Sequence, residues 1–184
     1  MSSQPLSLHF TGARILRDKR LEPGELYLSD GCISDGDRTP RARGVKPEID
    51  LRGFLVLPGI IDLHGDAFER QIQPRPRVRF PLEQGLLAAD REAAANGVTT
   101  AWLAQCWSWE GEHRSPDFAR DVLEALSAYK PDMQTDLRVQ LRVETHTTQS
   151  CEALIALVRE FAVDYAIFND HLGEAFQQFE TDPE

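Results

Sequence analysis

Residues 54–69, FLVLPGIIDLHGDAFE, constrain this chain more than any other stretch. An apolar run breaks at Pro58 and Gly59, resumes as Ile60, Ile61, Asp62 and Leu63, and leads into His64, Gly65 and Asp66. A short β-branched run with turn residues on its amino-terminal side reads as a buried strand. Side chains alternate along a strand, so His64 and Asp66, two positions apart, are expected on one face. An imidazole nitrogen and a carboxylate oxygen then converge at the strand's end, and Gly65 lets the backbone come close to whatever sits there. Such a pair supplies two ligands of a divalent cation. A lone His-x-Asp is commonly a surface turn. What distinguishes this one is its place at the end of an apolar run, where polar side chains would otherwise be a defect.

Upstream, residues 1–57 read as short strands and turns. Residues 6–10 alternate weakly and Gly12 is expected to end that strand. Residues 25–28 and 32–34 flank Asp30 and Gly31, which predicts a hairpin with a tight turn. Residues 35–46 are polar, with Gly36, Pro40 and Gly44, and read as an exposed loop. Residues 49–51 and 54–57 give two more short strands. Residues 1–57 are therefore expected to form a small β unit.

Downstream the pattern changes. Residues 68–80 read as an irregular loop with Pro74 and Pro76. Pro81 suits a helix first turn, Leu82, Leu86, Leu87, Ala93 and Ala94 recur at helical spacing, and Gly97 closes the helix. Residues 98–103 are a buried strand and 107–115 a polar loop. Pro116 opens a second helix whose stripe is Phe118, Val122, Leu123, Leu126 and Tyr129. Leu137, Val139, Leu141 and Val143 alternate on one side of a strand that ends at Glu144. Ser150 is placed to cap a third helix carrying Leu154, Ile155, Val158 and Phe161. Residues 165–168 form the next strand, and residues 173–179 begin a further helix or lid.

Strand–helix repetition at this spacing predicts βαβ units and a parallel sheet. In a (β/α) barrel the active groups sit at the carboxyl ends of the strands. Four strands end near His64, Leu103, Glu144 and Phe168, and the polar residues there are His64, Asp66, Glu144, His146, Asp170 and His171. Beside the first of these ends lie Arg70, Arg75, Arg77 and Arg79, with no acid between residues 70 and 79. Guanidinium forks bind phosphate oxygens in pairs, so this loop could hold a polyphosphate tail; away from His64 and Asp66 it would read as a solvated basic loop. His113 and Arg114, on the next strand-end loop, are secondary candidates. Trp107 and Trp109 read as packing residues.

A net charge of −10 on 184 residues argues against nucleic acid or an anionic membrane as partner. Cys32, Cys106 and Cys151 are odd in number, with no Cys-x-x-Cys spacing, which fits reduced thiols in a cytoplasmic protein. The amino terminus lacks the basic start and apolar segment of a signal peptide.

LPGIIDLHGD resembles the first barrel strand of the amidohydrolase superfamily, usually PGxIDxHxH, and DLRGFLVLPG resembles the end of that superfamily's small β-sandwich lead-in. More narrowly, HGDAFERQIQPRPRVRFP resembles the diphosphatases of the carbon–phosphorus lyase pathway. These carry His-x-Asp, then Glu-Arg or similar and a Pro-Arg-Pro segment. ADREAAANGVTTAW, LRVET and NDH are similar to their later strands. The resemblance implies an α/β fold: a small β-sandwich segment over residues 1–57, then the first half of a TIM-like (β/α) barrel over residues 58–184. It implies hydrolysis of α-D-ribose 1-methylphosphonate 5-triphosphate to the 5-phosphate with release of diphosphate. It also implies one or two divalent ions, Zn or Mn, held by His64, Asp66, Glu144 and His171. Glu144 and Asp170 are the candidate catalytic carboxylates, Asp170 without a motif position of its own, and Arg70, Arg75, Arg77 and Arg79 are the candidate substrate contacts by their phosphate-binding chemistry.

A complete barrel takes roughly 250 residues, about twice the span of 58–184. A complementing carboxyl-terminal segment or a second copy is therefore an expected partner. Two other readings stay open: an amidohydrolase acting on a C–N bond, and a non-catalytic scaffold or assembly module.

Overall fold

The computed structural model describes residues 7–29, 31–34, 47–75 and 77–173. The chain divides into two compact units, Met1–Pro58 and Gly59–Glu184.

The first unit holds β1 (Ser7–Arg17), β2 (Arg20–Ser29), β3 (Cys32–Ser34), β4 (Glu48–Asp50) and β5 (Leu55–Val56) in one sheet, ordered β3-β2-β1-β4 with β5 also on β1. The described residues form this single sheet, so the second layer that a sandwich requires is not among them. Gly12 does not end β1. The strand passes through it with a register shift between Phe10 and Ala13, the signature of a bulge. Only glycine suits this position: its φ is +73°, and a Cβ would stand 2.6 Å from Cγ of Arg52. The β1–β2 hairpin turns on Asp18 and Lys19, both left-handed at φ 46° and 66°, as a type I′ turn demands. β2 and β3 pair antiparallel with Ser29 opposite Cys32, the expected second hairpin. Asp30 and the expected loop at 35–46 lie outside the described residues.

The second unit alternates strand and helix: β6 (Ile60–Gly65), α1 (Glu69–Ile72), α2 (Leu82–Ala95), β7 (Val98–Trp107), α3 (Pro116–Tyr129), β8 (Asp136–Glu144), α4 (Cys151–Glu160) and β9 (Tyr165–Asn169). Its four strands are all parallel, in the order β6-β7-β8-β9, and the sheet curls as part of a barrel wall does. One face carries the core. Leu137, Val139, Leu141 and Val143 of β8 are buried with Leu86, Phe118, Ala119, Val122, Leu126 and Leu157 from the helices. The other face of β8 carries Arg138, Gln140, Arg142 and Glu144.

Helix boundaries follow local chemistry. Pro81 stands at the N-cap of α2, one place before the expected first turn, and Gly97 follows its end at φ +75°. Ser115 caps α3 by accepting from the Phe118 N–H at 3.1 Å, with Pro116 in the first turn. Ser150 stands at the N-cap of α4 without capping it. Its hydroxyl instead donates to the Thr147 carbonyl and accepts from Trp107 Nε1, each at 2.9 Å.

Two spans depart from expectation. The stretch at 68–80 is not irregular throughout: it holds α1 and a bridge between Arg75 and Val78. β7 runs on from Leu103 to Trp107, because Ala104, Cys106 and Trp107 are buried and pair with Gln140, Arg142 and Val143. Trp107 is thus a strand residue that packs, while Trp109 is 53% exposed. The helix or lid expected at 173–179 lies outside the described residues from 174 onward.

The amino-terminal end of the sheet is pinned by Asp90. This fully buried α2 residue accepts from Tyr129 Oη (2.8 Å), Gln134 N (2.8 Å), Thr135 N (2.9 Å) and Thr135 Oγ1. Burial pushes its carboxyl upward, but these donors outweigh burial and hold it below the ordinary carboxylate range. Burial, together with the same hydrogen bond, pushes the Tyr129 phenol up to about 12.

Candidate functional site

The polar side chains singled out from sequence gather at the carboxyl ends of β6, β8 and β9, in two groups. The first is built on β6, whose pairing with β7 slips between Asp62 and Gly65. Asp62 Oδ1 accepts the His64 N–H at 2.9 Å. Gly65 leaves room for that carboxylate, since a Cβ there would lie 3.2 Å from Asp62 Oδ2 and 3.4 Å from the Trp102 carbonyl.

His64 Nδ1 lies 2.6 Å from Oε1 of Gln140, a fully buried side chain on β8. The contact spans β7, where the residue paired with Gln140 is the fully buried Ala104, small enough to be bridged. Side chains from alternate strands meet in this way inside a barrel. Gln140 Nε2 donates to the Leu63 carbonyl at 2.8 Å, which fixes the amide's orientation because a carbonyl only accepts. Gln140 Oε1 must therefore accept from His64 Nδ1–H. The Nε2 lone pair of His64 is left for a ligand, the usual arrangement of a metal-binding histidine held by an outer hydrogen bond.

The second group is centred on Glu144, only 5% exposed at the end of β8. Its Oε1 accepts from His171 Nδ1 at 2.6 Å and its Oε2 from the His171 backbone N–H at 3.3 Å. His171 thus also presents Nε2. His146 Nε2 stands 3.6 Å from Glu144 Oε2, too far for a hydrogen bond, and is buried with no partner among the described residues. His146 Nδ1 is 4.0 Å from Asp170 Oδ1, and Asp170 itself is largely exposed.

Asp66 does not share the strand alternation expected of it. β6 ends at Gly65, and Asp66 lies in the following turn, its N–H on the His64 carbonyl at 3.1 Å and its own carbonyl on the Glu69 N–H at 3.2 Å. Its side chain is exposed. Among the described residues no three His, Cys, Asp or Glu side chains converge as a metal-holding group.

The arginines divide as well. Arg79 is engaged locally: Nε donates to Gln73 Oε1 at 3.3 Å and the guanidinium lies 5.3 Å over the Phe118 ring. Arg70, Arg75 and Arg77 are exposed. His113 Nε2 sits 4.0 Å from Glu69, and Arg114 pairs with Glu110 at 2.8 Å. Burial pushes the Cys106 thiol up; the positive charges of Arg142 and Arg114 oppose this, while Glu69 and Glu110 add to it. All three cysteines are free.

Sequence reasoning passed over Asp62, Gln140 and Arg142. The signal for the last two lay in LRVQLRVE, where the positions between the apolar ones define a second face. A cavity of about 300 Å³ lies elsewhere, lined by Asp136, Arg138 and Asp164 at the amino-terminal end of the sheet, remote from these groups.

No protein-family model matches the chain. Over 91 residues it is 36% identical to the alpha-D-ribose 1-methylphosphonate 5-triphosphate diphosphatase of Escherichia coli strain K12. That match covers 47% of this chain and 22% of the enzyme. A crystal structure of an uncharacterised protein aligns with 96% of this chain and 69% of its own, at 14% identity and a TM-score of 0.31. The sequence likeness is to a hydrolase of a diphosphate bond, and the matched stretch spans about a fifth of that enzyme's length.

Proposed function

We propose that this chain carries part of the active site of a metal-dependent phosphoanhydride hydrolase of the amidohydrolase type. It would release diphosphate from α-D-ribose 1-methylphosphonate 5-triphosphate in the cytoplasm. One observation carries the reading. At the carboxyl ends of parallel strands, His64 and His171 each spend Nδ1 on a buried acceptor, Gln140 or Glu144, and so present Nε2.

Imidazole nitrogens and carboxylate oxygens are the donor chemistry that Zn and Mn accept, so the donor types match such an ion, although among the described residues no three of them converge. His64, Asp66, Glu144 and His171 would hold it. When bound, a divalent ion lowers the pKa of a water from about 15.7 toward roughly 7 and polarises a phosphoryl group. The chain's own residues do the rest. Asp170 faces solvent, where it can take the proton of the attacking water, with His146 between it and Glu144. Arg70, Arg75 and Arg77 are exposed forks able to neutralise phosphate oxygens on the tail. Water oxygen bonds to phosphorus, one P–O anhydride bond breaks, and diphosphate leaves with the electron pair. The partner that completes the site would be a further carboxyl-terminal segment or a second copy.

The test loads the chain with Zn or Mn, measures bound metal, and follows the triphosphate by phosphorus NMR. Expected are retained metal and diphosphate release, both lost in His64→Ala. Retained metal with no diphosphate release, but cleavage of a C–N substrate, would favour a different amidohydrolase. Equal metal content in the parent and His64→Ala would leave only a scaffold.

A further inference from the structure

We infer that Arg142, aided by Arg114, forms a seat for a phosphoryl oxyanion on the face of the parallel sheet opposite the helices. The inference takes its ligand class from the diphosphatase reading. It concerns a residue pair distinct from the 70–79 arginines.

Four polar side chains share that face of β8, and three are occupied. Arg138 binds Asp136 at 2.6 Å and Asp164 at 2.9 Å. Gln140 is held at both ends by His64 and Leu63. Glu144 accepts twice from His171. Arg142 alone has no hydrogen-bond or ion-pair partner among the described residues, although its Nε is buried. A guanidinium has five donors and no acceptor, so a buried Nε–H lacking a partner marks a place where an acceptor is missing.

The surroundings say what the acceptor is. Cys106 lies directly across the ladder from Arg142, and a thiol is a weak acceptor. Arg114 is near enough for its charge to act on the same thiol, and its Nε is also buried without a hydrogen-bond partner. The neighbouring carboxylates are Glu110, already on Arg114 at 2.8 Å, Glu69, 4.0 Å from His113, and Glu144, two residues along the same face of β8 and accepting from His171. None of the three forms an ion pair or hydrogen bond with Arg142 among the described residues. Orphaned donors on two neighbouring elements call for an oxyanion with several acceptor atoms, which a tetrahedral phosphoryl group supplies and a lone chloride does not.

The experiment titrates the full chain with diphosphate under a chelator, by calorimetry and phosphorus NMR, with methylphosphonate and acetate as separate arms. The chelator removes hydrolysis and metal-bridged binding, so the outcome stands apart from the proposed reaction. Expected are saturable diphosphate binding, a loss of at least about tenfold in Arg142→Gln, and partial recovery in Arg142→Lys, which keeps the charge but not the fork. Circular dichroism of both variants checks folding. Binding within twofold of the parent in Arg142→Gln, no diphosphate binding by the parent, or equal affinity for acetate overturns the inference. Diphosphate binding that depends on Arg142 in a chain without metal-dependent turnover upholds this seat while the hydrolase reading fails.

Discussion

The two ends of the parallel sheet are built to different standards. At the amino-terminal end the buried and sheet-borne charges are paired. Arg138 holds Asp136 and Asp164 and lies 4.8 Å over the Trp102 ring, Trp102 Nε1 donates to Asp164 at 2.9 Å, and Asp90 gathers four donors. At the carboxyl end some groups are paired, Glu144 with His171 and Arg114 with Glu110, but others are not. The buried side-chain atoms left without a hydrogen bond, among the described residues, are His113 Nδ1, Arg114 Nε, Arg142 Nε and His146 Nε2, all on β8 or the turns after β7 and β8. Unsatisfied buried donors destabilise a fold unless something else uses them. Their confinement to one rim separates an end whose polar groups hold the sheet together from an end with unused hydrogen-bonding capacity, and in a barrel that second end is where active groups sit.

The most damaging way to test that division is to disturb the satisfied end. Asp90→Ala leaves the Gln134 and Thr135 N–H groups and the Tyr129 hydroxyl without their acceptor, and should cost on the order of 3 kcal/mol, read by urea unfolding. Metal retention at subdenaturing conditions should be unchanged. A variant that unfolds at the parent's midpoint would mean this network is not what pins β8.

At the other rim, Gln140→Leu keeps the bulk of a fully buried side chain but removes the acceptor of His64 Nδ1–H. Losing the outer partner of a ligand histidine typically costs about 10–100-fold in metal affinity. That loss is the expected result by competitive chelation, with secondary structure retained. Unchanged affinity would remove His64 from the metal site. Reversing Arg75 and Arg77 to Glu should weaken polyphosphate binding about threefold, with little change in metal content, because exposed guanidinium contacts are screened by solvent. Equal polyphosphate affinity in the variant and the parent would take the loop out of the mechanism.

Much of this contrast could be read in the residues. The alternation of β8 is plain in LRVQLRVE, and the limits of α2 and α3 are marked by Pro81, Gly97 and Pro116. The stretches that resemble the diphosphatases single out His64, Glu144 and His171, and the fold joins the last two. What stayed hidden depends on contacts far apart in sequence. Asp90 sits on a helix rich in charge and looks like solvent-facing polarity; only the approach of Gln134 and Thr135, 44 and 45 residues on, makes it a buried hub. Gly12 reads as a stop because a bulge is set by the partner strand. Asp18 and Lys19 lack the Asn-Gly signal of their turn type, so the sequence does not announce the hairpin they make. Asp66 lies one residue past the point where β6 ends and the chain turns, and nothing in HGD marks that end.

The smallest effect is expected from pH at the satisfied end. The Trp102 N–H hydrogen bond, with help from Arg138, holds the Asp164 carboxyl below its ordinary value despite some opposition from burial. A carboxyl depressed in the folded state binds its proton less readily there than in the unfolded chain. It therefore adds stability above the unfolded value of about 3.9, and that contribution fades as pH falls through the folded value. Asp164 is about half exposed, so solvent screening should limit the term to about 0.5 kcal/mol. Asp164→Asn should accordingly lower stability slightly at neutral pH and converge with the parent in acid, as read by thermal melts between about pH 7 and pH 3. Asp90, buried and depressed by several donors, should give the same sign and a larger amplitude in Asp90→Asn. If Asp164→Asn lost more than Asp90→Asn, the order of the two amino-terminal anchors would be reversed, and the exposed Arg138 pairing, rather than the buried hub, would be the stronger clasp on that end.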